Sequence, residues 1–235
     1  MRLSARAKKD VTVVMPCLNE VKTVGLCVKQ ALEYMKKNGL NGEVIVVDNG
    51  STDGSAEEAS ANGAKVIKES RRGYGAAIRK GLKMSSGRVV IIGDCDTTYD
   101  FSQLDGYYYL IADSGYDMVI GNRFANPMEK GAMSLSHRIG VNILSLFGRI
   151  AFKTDIHDFH CGLRSISRDA LKRLSFKTCG MEFATEMIAE ASKANLKTVQ
   201  IPITLSKCRF ERKSKLKTVR DGLRHLGYIL HKGRI

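Results

Sequence analysis

Long apolar runs, prolines and paired cysteines are all scarce in this 235-residue chain, and each scarcity removes a class of protein. No stretch of about 18 uninterrupted apolar residues occurs, so nothing reads as a simple bilayer-spanning helix. The nearest candidate, residues 139–152, is short and carries Asn142 and Arg149. Residues 1–10 are basic and polar, and only the short run 11–18 follows before Asn19-Glu20. A secretory signal needs a longer apolar region and a small-residue cleavage site, so none is expected. Six cysteines, at 17, 27, 95, 161, 179 and 208, have neither zinc-type pairing nor the density of a disulfide scaffold, and a reducing cytosol is the simplest reading. His157, Asp158, His160 and Cys161 cluster, but the order H-x-x-H-C matches no common zinc pattern and reads as a loop lining a cleft. With three prolines, 43% apolar residues, no repeat and no low-complexity tract, the composition fits one large α/β domain.

Acidic residues are also in deficit. The net charge is +14, and residues 207–235 hold ten Lys/Arg against Glu211 and Asp221. A surplus this concentrated implies a polyanionic partner: nucleic acid, an anionic membrane or a phosphorylated acceptor. Within it Leu216, Val219, Leu223, Leu226 and Leu230 recur every three or four residues, flanked by Lys217, Arg220, Arg224 and Lys232. That is a basic amphipathic helix over 216–235, which either lies on a membrane surface or packs its leucines onto the domain.

Strand and helix patterns alternate through the first half. Strands are expected at 11–15, 43–48, 64–68, 88–93 and 117–121, with helices at 21–37, up to 61, 75–84 and 103–113. This β-α-β-α order predicts a mostly parallel, doubly wound sheet. Past residue 122 the rhythm breaks into a helix at 135–152, an irregular loop to 161, a helix at 183–195 and a strand at 198–205.

The most informative string is Val89-Val90-Ile91-Ile92-Gly93-Asp94-Cys95-Asp96. A continuous β-branched run reads as a strand covered on both faces, and open α/β sheets bind ligands beyond the carboxyl ends of their strands. Two carboxylates one residue apart at such an end suit a hard divalent cation that completes its shell with water and substrate phosphate, although an acidic turn capping the next helix has the same pattern. The two other early strand ends, Pro16-Cys17-Leu18-Asn19-Glu20 and Asp48-Asn49-Gly50-Ser51-Thr52-Asp53, are acidic as well and offer acceptors to base N–H and ribose hydroxyl groups. Gly73-Tyr74-Gly75 lacks the third glycine of a dinucleotide fingerprint; it either starts a helix or lets the backbone approach a ligand.

Taken in order, V-V-M-P-C-L-N-E, V-V-D-N-G-S-T-D-G, G-Y-G-A-A-I-R-K-G, G-D-C-D-T-T-Y-D, G-N-R-F, H-C-G-L-R and K-S-K-L resemble the family 2 glycosyltransferases of the glycosyltransferase-A fold, within them the polyprenyl-phosphate (dolichyl-phosphate) mannose and glucose synthases. The resemblance implies a single domain over 1–235: a nucleotide-sugar-binding half at 11–122, an acceptor-binding half at 123–215, and the amphipathic helix at 216–235. It implies that Pro16, Leu18, Glu20, Asp48 and Asn49 cradle the nucleotide. Asp94 and Asp96, with Thr98 at a position some relatives fill with Gln, would hold Mg²⁺ or Mn²⁺ on the diphosphate. Arg123 would neutralise the departing diphosphate, Arg138 and Asn142 would hold the acceptor phosphate, and Arg209, Ser214 and Lys215 would form an acceptor loop. Asn49, standing where mannose synthases tend to have Asp, tilts the donor from GDP- toward UDP-linked sugar.

The implied reaction moves a monosaccharide, with inversion, from a nucleotide sugar to a polyprenyl phosphate at the cytoplasmic membrane face. A phosphate nucleophile is already anionic, so no strong general base is needed; Asp155, Asp158, Glu182 and Glu186 would orient, and His157, His160 and Glu182 would line the cleft or touch sugar. Many relatives continue into transmembrane helices, whereas this chain stops at Ile235, so peripheral attachment, a membrane-protein partner or an oligomer is expected. A hydroxyl acceptor would instead require a base. A nucleic-acid-binding protein is suggested by charge alone and leaves the strand-end acids unexplained, so no nucleic acid is expected.

Overall fold

The structure is a computed structural model and describes residues 9–126, 128–129, 131–208 and 218–233. Its first half alternates β1 (Lys9–Cys17), α1 (Val24–Lys37), β2 (Gly42–Asp48), α2 (Ser55–Ala61), β3 (Lys65–Lys68), α3 (Tyr74–Met84), β4 (Gly87–Ile92), α4 (Asp105–Ala112) and β5 (Met118–Asn122). There follow α5 (Leu135–Phe152), β6 (Arg164–Ser167), α6 (Arg168–Lys172), α7 (Phe183–Lys193), β7 (Thr198–Pro202) and α8 (Thr218–Lys232).

The strands form one seven-stranded sheet in the order β3-β2-β1-β4-β6-β5-β7. β1 pairs in parallel with β2 and β4, β2 with β3, and β5 with β7. The valine and isoleucine runs of β1, β2 and β4 are sealed from solvent, as a sheet covered by helices on both faces requires. The chain runs from β1 outward to β3 and then returns to β4 on the other side of β1. The carboxyl ends of β1 and β4 therefore flank a topological switch point, where open α/β sheets bind ligands.

One strand was not expected. β6 lies antiparallel between β4 and β5, and it reads Arg-Ser-Ile-Ser, with no alternating apolar pattern. Arg164 and Ser165 are buried because both are satisfied by backbone carbonyls. Ser165 Oγ donates to the Tyr107 carbonyl at 2.7 Å, and the Arg164 guanidinium donates to the carbonyls of Cys161, Phe159 and Ala184. Through β6 and β7 the second half of the chain is built into the sheet of the first.

α8 is turned opposite to a core helix. It packs on α5 and α7 through the buried side chains of Asp221, His225 and Ile229, while Val219, Leu223 and Leu230 are 77%, 64% and 63% exposed. Of the stripe, these three residues face outward, Leu226 is half-buried and Leu216 lies outside the described residues, while the helix is held to the domain by Ile229 and by polar contacts that include Arg224 Nη2 to Glu182 Oε1 at 2.8 Å. α5 has the same character. Leu135, Ile139, Ile143, Leu146, Phe147 and Ile150 are exposed along it, most at a spacing of three or four residues. None of the described helices is long and apolar enough to cross a membrane.

Candidate active site

β4 delivers Asp94 and Asp96 to a cavity of about 1170 Å³ whose lining also includes Tyr74, Tyr99, Arg123, His137, His160, Gly162, Asp221 and His225. Gly93 N is bonded to the Val14 carbonyl at 3.1 Å, so the turn departs directly from the β1/β4 seam. Thr97 sits at φ 64°, an unusual conformation for a β-branched residue. Its hydroxyl is tied to the Asp96 carbonyl at 2.6 Å. The bend brings the Thr98 amide back onto Asp96 Oδ1 at 3.0 Å, and the Thr98 hydroxyl donates to the same oxygen. Thr98 lines the cavity, but its hydroxyl orients Asp96.

Asp94 is set from two sides. Tyr74 lies beside it, and burial, reinforced by the Asp94 charge, holds that phenol well above its ordinary pKa. On the other side the backbone of Gly162 lies against Asp94, and a β-carbon at 162 would collide with the carboxylate. The Gly162 amide is fixed by the Tyr99 hydroxyl at 2.9 Å. Among the described residues no three His, Cys, Asp or Glu side chains form a metal-binding group. Two oxygen ligands at a cavity wall, with further positions left to water and phosphate, still fit Mg²⁺ or Mn²⁺ rather than zinc.

Arg123 and Asp158 form a bidentate pair: Nε and Nη2 donate to Oδ2 and Oδ1 at 2.7 and 2.8 Å, and the Arg123 amide adds a third bond to Oδ2 at 3.1 Å. Burial opposes the charge on Arg123, and the facing carboxylate more than restores it, leaving the guanidinium above its ordinary pKa. The two acids of the 182–186 segment are also engaged. Glu182 accepts from the Gly180 amide and Arg224, and Glu186 accepts from the amides of Lys177 and Thr178 and the Thr178 hydroxyl.

The other expected site residues are scattered. Pro16 and Asp48 lie in the last residues of β1 and β2, Leu18 and Glu20 just beyond β1, and none of the four lines the cavity. Asp48 accepts from the Ser51 amide at 3.0 Å. The side chain of Asn49 is occupied by the chain itself: Nδ2 donates to the Glu69 and Arg71 carbonyls at 2.8 Å and Oδ1 accepts from Gly73 N at 2.8 Å. It clamps a loop, so its geometry gives no ground for a base preference. Gly73-Tyr74-Gly75 starts α3, and the backbone it admits is the protein's own: Gly73 has φ 134°, its missing side chain leaves room for the Cys179 carbonyl, and Gly75 N donates to Gly180 O at 3.2 Å.

Arg138 is exposed on α5 and does not line the cavity, although His137 and Val141 do. Asn142 and His157 face a separate hollow of about 360 Å³ with Arg149. Arg209, Ser214 and Lys215 lie outside the described residues. Tyr74, Tyr99, His137, Asp221 and His225 were missed as site residues. The two tyrosines stood inside motifs already singled out, whereas Asp221 and His225 looked like solvated positions of an amphipathic helix.

Residues 12–175 match the family described as glycosyl transferase family 2, and the chain belongs to that family. It is 36% identical over 224 residues to the low-salt glycan biosynthesis hexosyltransferase Agl6 of Haloferax volcanii, covering 94% of this chain and 53% of that protein. The chain therefore spans about half the length of that relative. It is 28% identical over 194 residues to the dolichyl-phosphate hexose transferase of the same organism, covering 83% and 82% of the two chains. Among solved structures it is similar to Mycobacterium tuberculosis glucosyl-3-phosphoglycerate synthase in complex with Mn²⁺, UDP-glucose and phosphoglyceric acid, with TM-score 0.75, 21% identity, and 96% and 80% of the chains covered. The fold is of the glycosyltransferase-A type, as expected from the sequence.

Proposed function

We propose that this glycosyltransferase moves a monosaccharide from a nucleotide diphosphate sugar to a polyprenyl phosphate, at the cytoplasmic face of a membrane on which it lies peripherally. The observation that carries this reading is the mixed lining of the cavity, which combines Asp94 and Asp96 with the apolar side chains of Val141, Ile143, Leu144, Val219, Leu223 and Leu226 from α5 and α8. A substrate pair with a charged diphosphate and a hydrocarbon tail matches both kinds of lining. The similar dolichyl-phosphate hexose transferase and the Mn²⁺ and UDP-glucose of the similar synthase support the same acceptor and donor classes.

In this reading residues 11–122 carry the donor, with Pro16, Leu18, Glu20 and Asp48 at its base and ribose, and Asp94 and Asp96 hold the cation. A divalent cation bound there supplies electrostatic neutralisation of charge growing on the leaving diphosphate. Arg123 lines the same wall, and Asp158 fixes its guanidinium for that leaving group. The acceptor phosphate brings its own charge, and the engagement of Asp158, Glu182 and Glu186 with other partners agrees with a reaction that needs no strong base. Residues 123–215, including Arg138, Arg209, Ser214 and Lys215, contribute the acceptor side. The exposed apolar residues of α5 and α8 rest on the bilayer, and the basic residues around them face anionic headgroups, at roughly 1 kcal/mol each.

A hydroxyl acceptor is the second reading, favoured by Asp221, a carboxylate that also lines the cavity. Purified protein incubated with a panel of nucleotide sugars, Mg²⁺ or Mn²⁺ and polyprenyl phosphate tests the first reading by the appearance of a glycosyl phospholipid. Transfer to soluble sugars alone, abolished in Asp221→Asn, would support the second.

A further inference from the structure

His160 stands out among the residues that line the cavity. Its ring lines the wall, both ring nitrogens are shielded from solvent, and neither has a hydrogen-bond partner among the described residues. Its ring meets that of His225 edge-on, at 4.4 Å between centroids and 80° between planes. His225 is itself fixed, with Nδ1 at 2.7 Å from the Thr185 hydroxyl. The His160 amide donates to Asp158 Oδ1 at 3.1 Å, so the backbone that carries this ring is anchored to the carboxylate that holds Arg123.

Buried polar atoms in native proteins are paired, and one left unpaired beside a substrate cavity marks a partner that arrives with the ligand. We propose that His160 reads a hydroxyl group of the transferred sugar and thereby takes part in choosing the donor. The inference rests on the nucleotide-sugar reading above.

Position and chemistry both support it. Gly162 touches Asp94, and His160 is two residues away, at most about 7 Å of chain, which is the neighbourhood of the group attached to the diphosphate. Burial, then the neighbouring His225 and Arg123, keep the imidazole well below its ordinary pKa and so uncharged. A neutral imidazole offers one donor and one acceptor. A sugar hydroxyl, which both donates and accepts, can use either nitrogen, whereas a phosphate, which only accepts, can use only the protonated one. The cations of the cavity, Arg123 and Lys207, suit the phosphates, and a hydrocarbon chain has no use for the imidazole.

The test compares the wild type with His160→Phe, which keeps the ring and its edge contact, and His160→Gln, which restores a donor and an acceptor. Steady-state transfer and calorimetric binding are measured for the preferred nucleotide sugar, its monodeoxy analogues and the bare nucleoside diphosphate. The expected result is a fall of about tenfold or more in kcat/KM for the parent sugar in His160→Phe. One monodeoxy analogue should be handled equally by wild type and His160→Phe, bare nucleotide binding should be unchanged, and His160→Gln should regain part of the discrimination. Equal losses by His160→Phe on the parent and every deoxy analogue, or a loss confined to the acceptor KM, would overturn the sugar-reading role and leave the donor reading intact. A wild-type protein that binds no nucleotide sugar would overturn both.

Discussion

Asp158 grips Arg123 through both carboxylate oxygens, with the pair sealed at the wall that also carries Asp94 and Asp96. A charge in such a place is tolerable only while its partner is present. Asp158→Ala is therefore expected to cost about 3–5 kcal/mol of stability, as is Arg123→Ala. The double variant Arg123→Met/Asp158→Leu should lose less than the two singles combined. Urea unfolding of the four proteins measures this directly; additive losses would show that the two groups do not act as a pair. Transfer should fall in all three variants.

Asp96→Ala removes a proposed cation ligand and the acceptor for the Thr98 amide and hydroxyl. Activity should fall by a factor of about 10² or more, the scale of losing a direct electrostatic contact to the reacting group. The melting temperature should move by only a few degrees, since the Asp96 side chain lines the cavity and is not part of the hydrophobic core. Near-normal turnover would remove Asp96 from the metal site.

Substitutions on the apolar outer face separate stability from membrane binding. Leu230→Glu and Ile150→Glu replace exposed side chains that do not line the cavity, so each should change stability by less than about 0.5 kcal/mol. Together they should abolish co-sedimentation with anionic vesicles and reduce transfer to long-chain acceptors more than to short soluble ones. Equal losses on both acceptors would indicate that this face does not meet lipid.

His225 ties stability to pH. Burial lowers its pKa to about 4 in the folded chain, despite the nearby Glu182 and Asp221 carboxylates, against an ordinary value near 6.5. The unfolded chain thus binds more protons between these values. Stability from the neutral, docked imidazole is complete above about pH 6.5 and declines as the pH falls toward 4, by up to about 3 kcal/mol. Denaturation midpoints at pH 7.5 and 5 should differ more for the wild type than for His225→Gln. An identical pH response would place the titration elsewhere.

The parallel strands and the Asp94–Asp96 turn were legible because a fully covered strand leaves an unbroken β-branched run, and the acids at its end have no packing reason to be there. β6 was not, because Arg164 is buried by hydrogen bonds to carbonyls of the loop before it and of α7, and Ser165 by one to Tyr107, and hydrophobic periodicity carries no trace of such bonds. The stripe on α8 was plain from its spacing, yet spacing is the same whichever way a helix is turned. Only the inward placement of Asp221, His225 and Ile229 decides that Val219, Leu223 and Leu230 face out. Asn49 shows the opposite limit: its place in a motif suggested a ligand contact, while its amide is bonded to the loop at 69–73.

The central claim is that the nucleophile is a lipid phosphate that needs no base. It is tested most directly by offering the wild-type protein, with Mn²⁺ and its nucleotide sugar, equal amounts of a polyprenyl phosphate and the corresponding polyprenol, and then analysing the lipid products. The account predicts sugar on the phosphate with inverted anomeric configuration, none on the alcohol, and neither product with Asp94→Ala. Sugar on the polyprenol, or on a soluble hydroxyl in preference to the phosphate, would contradict it.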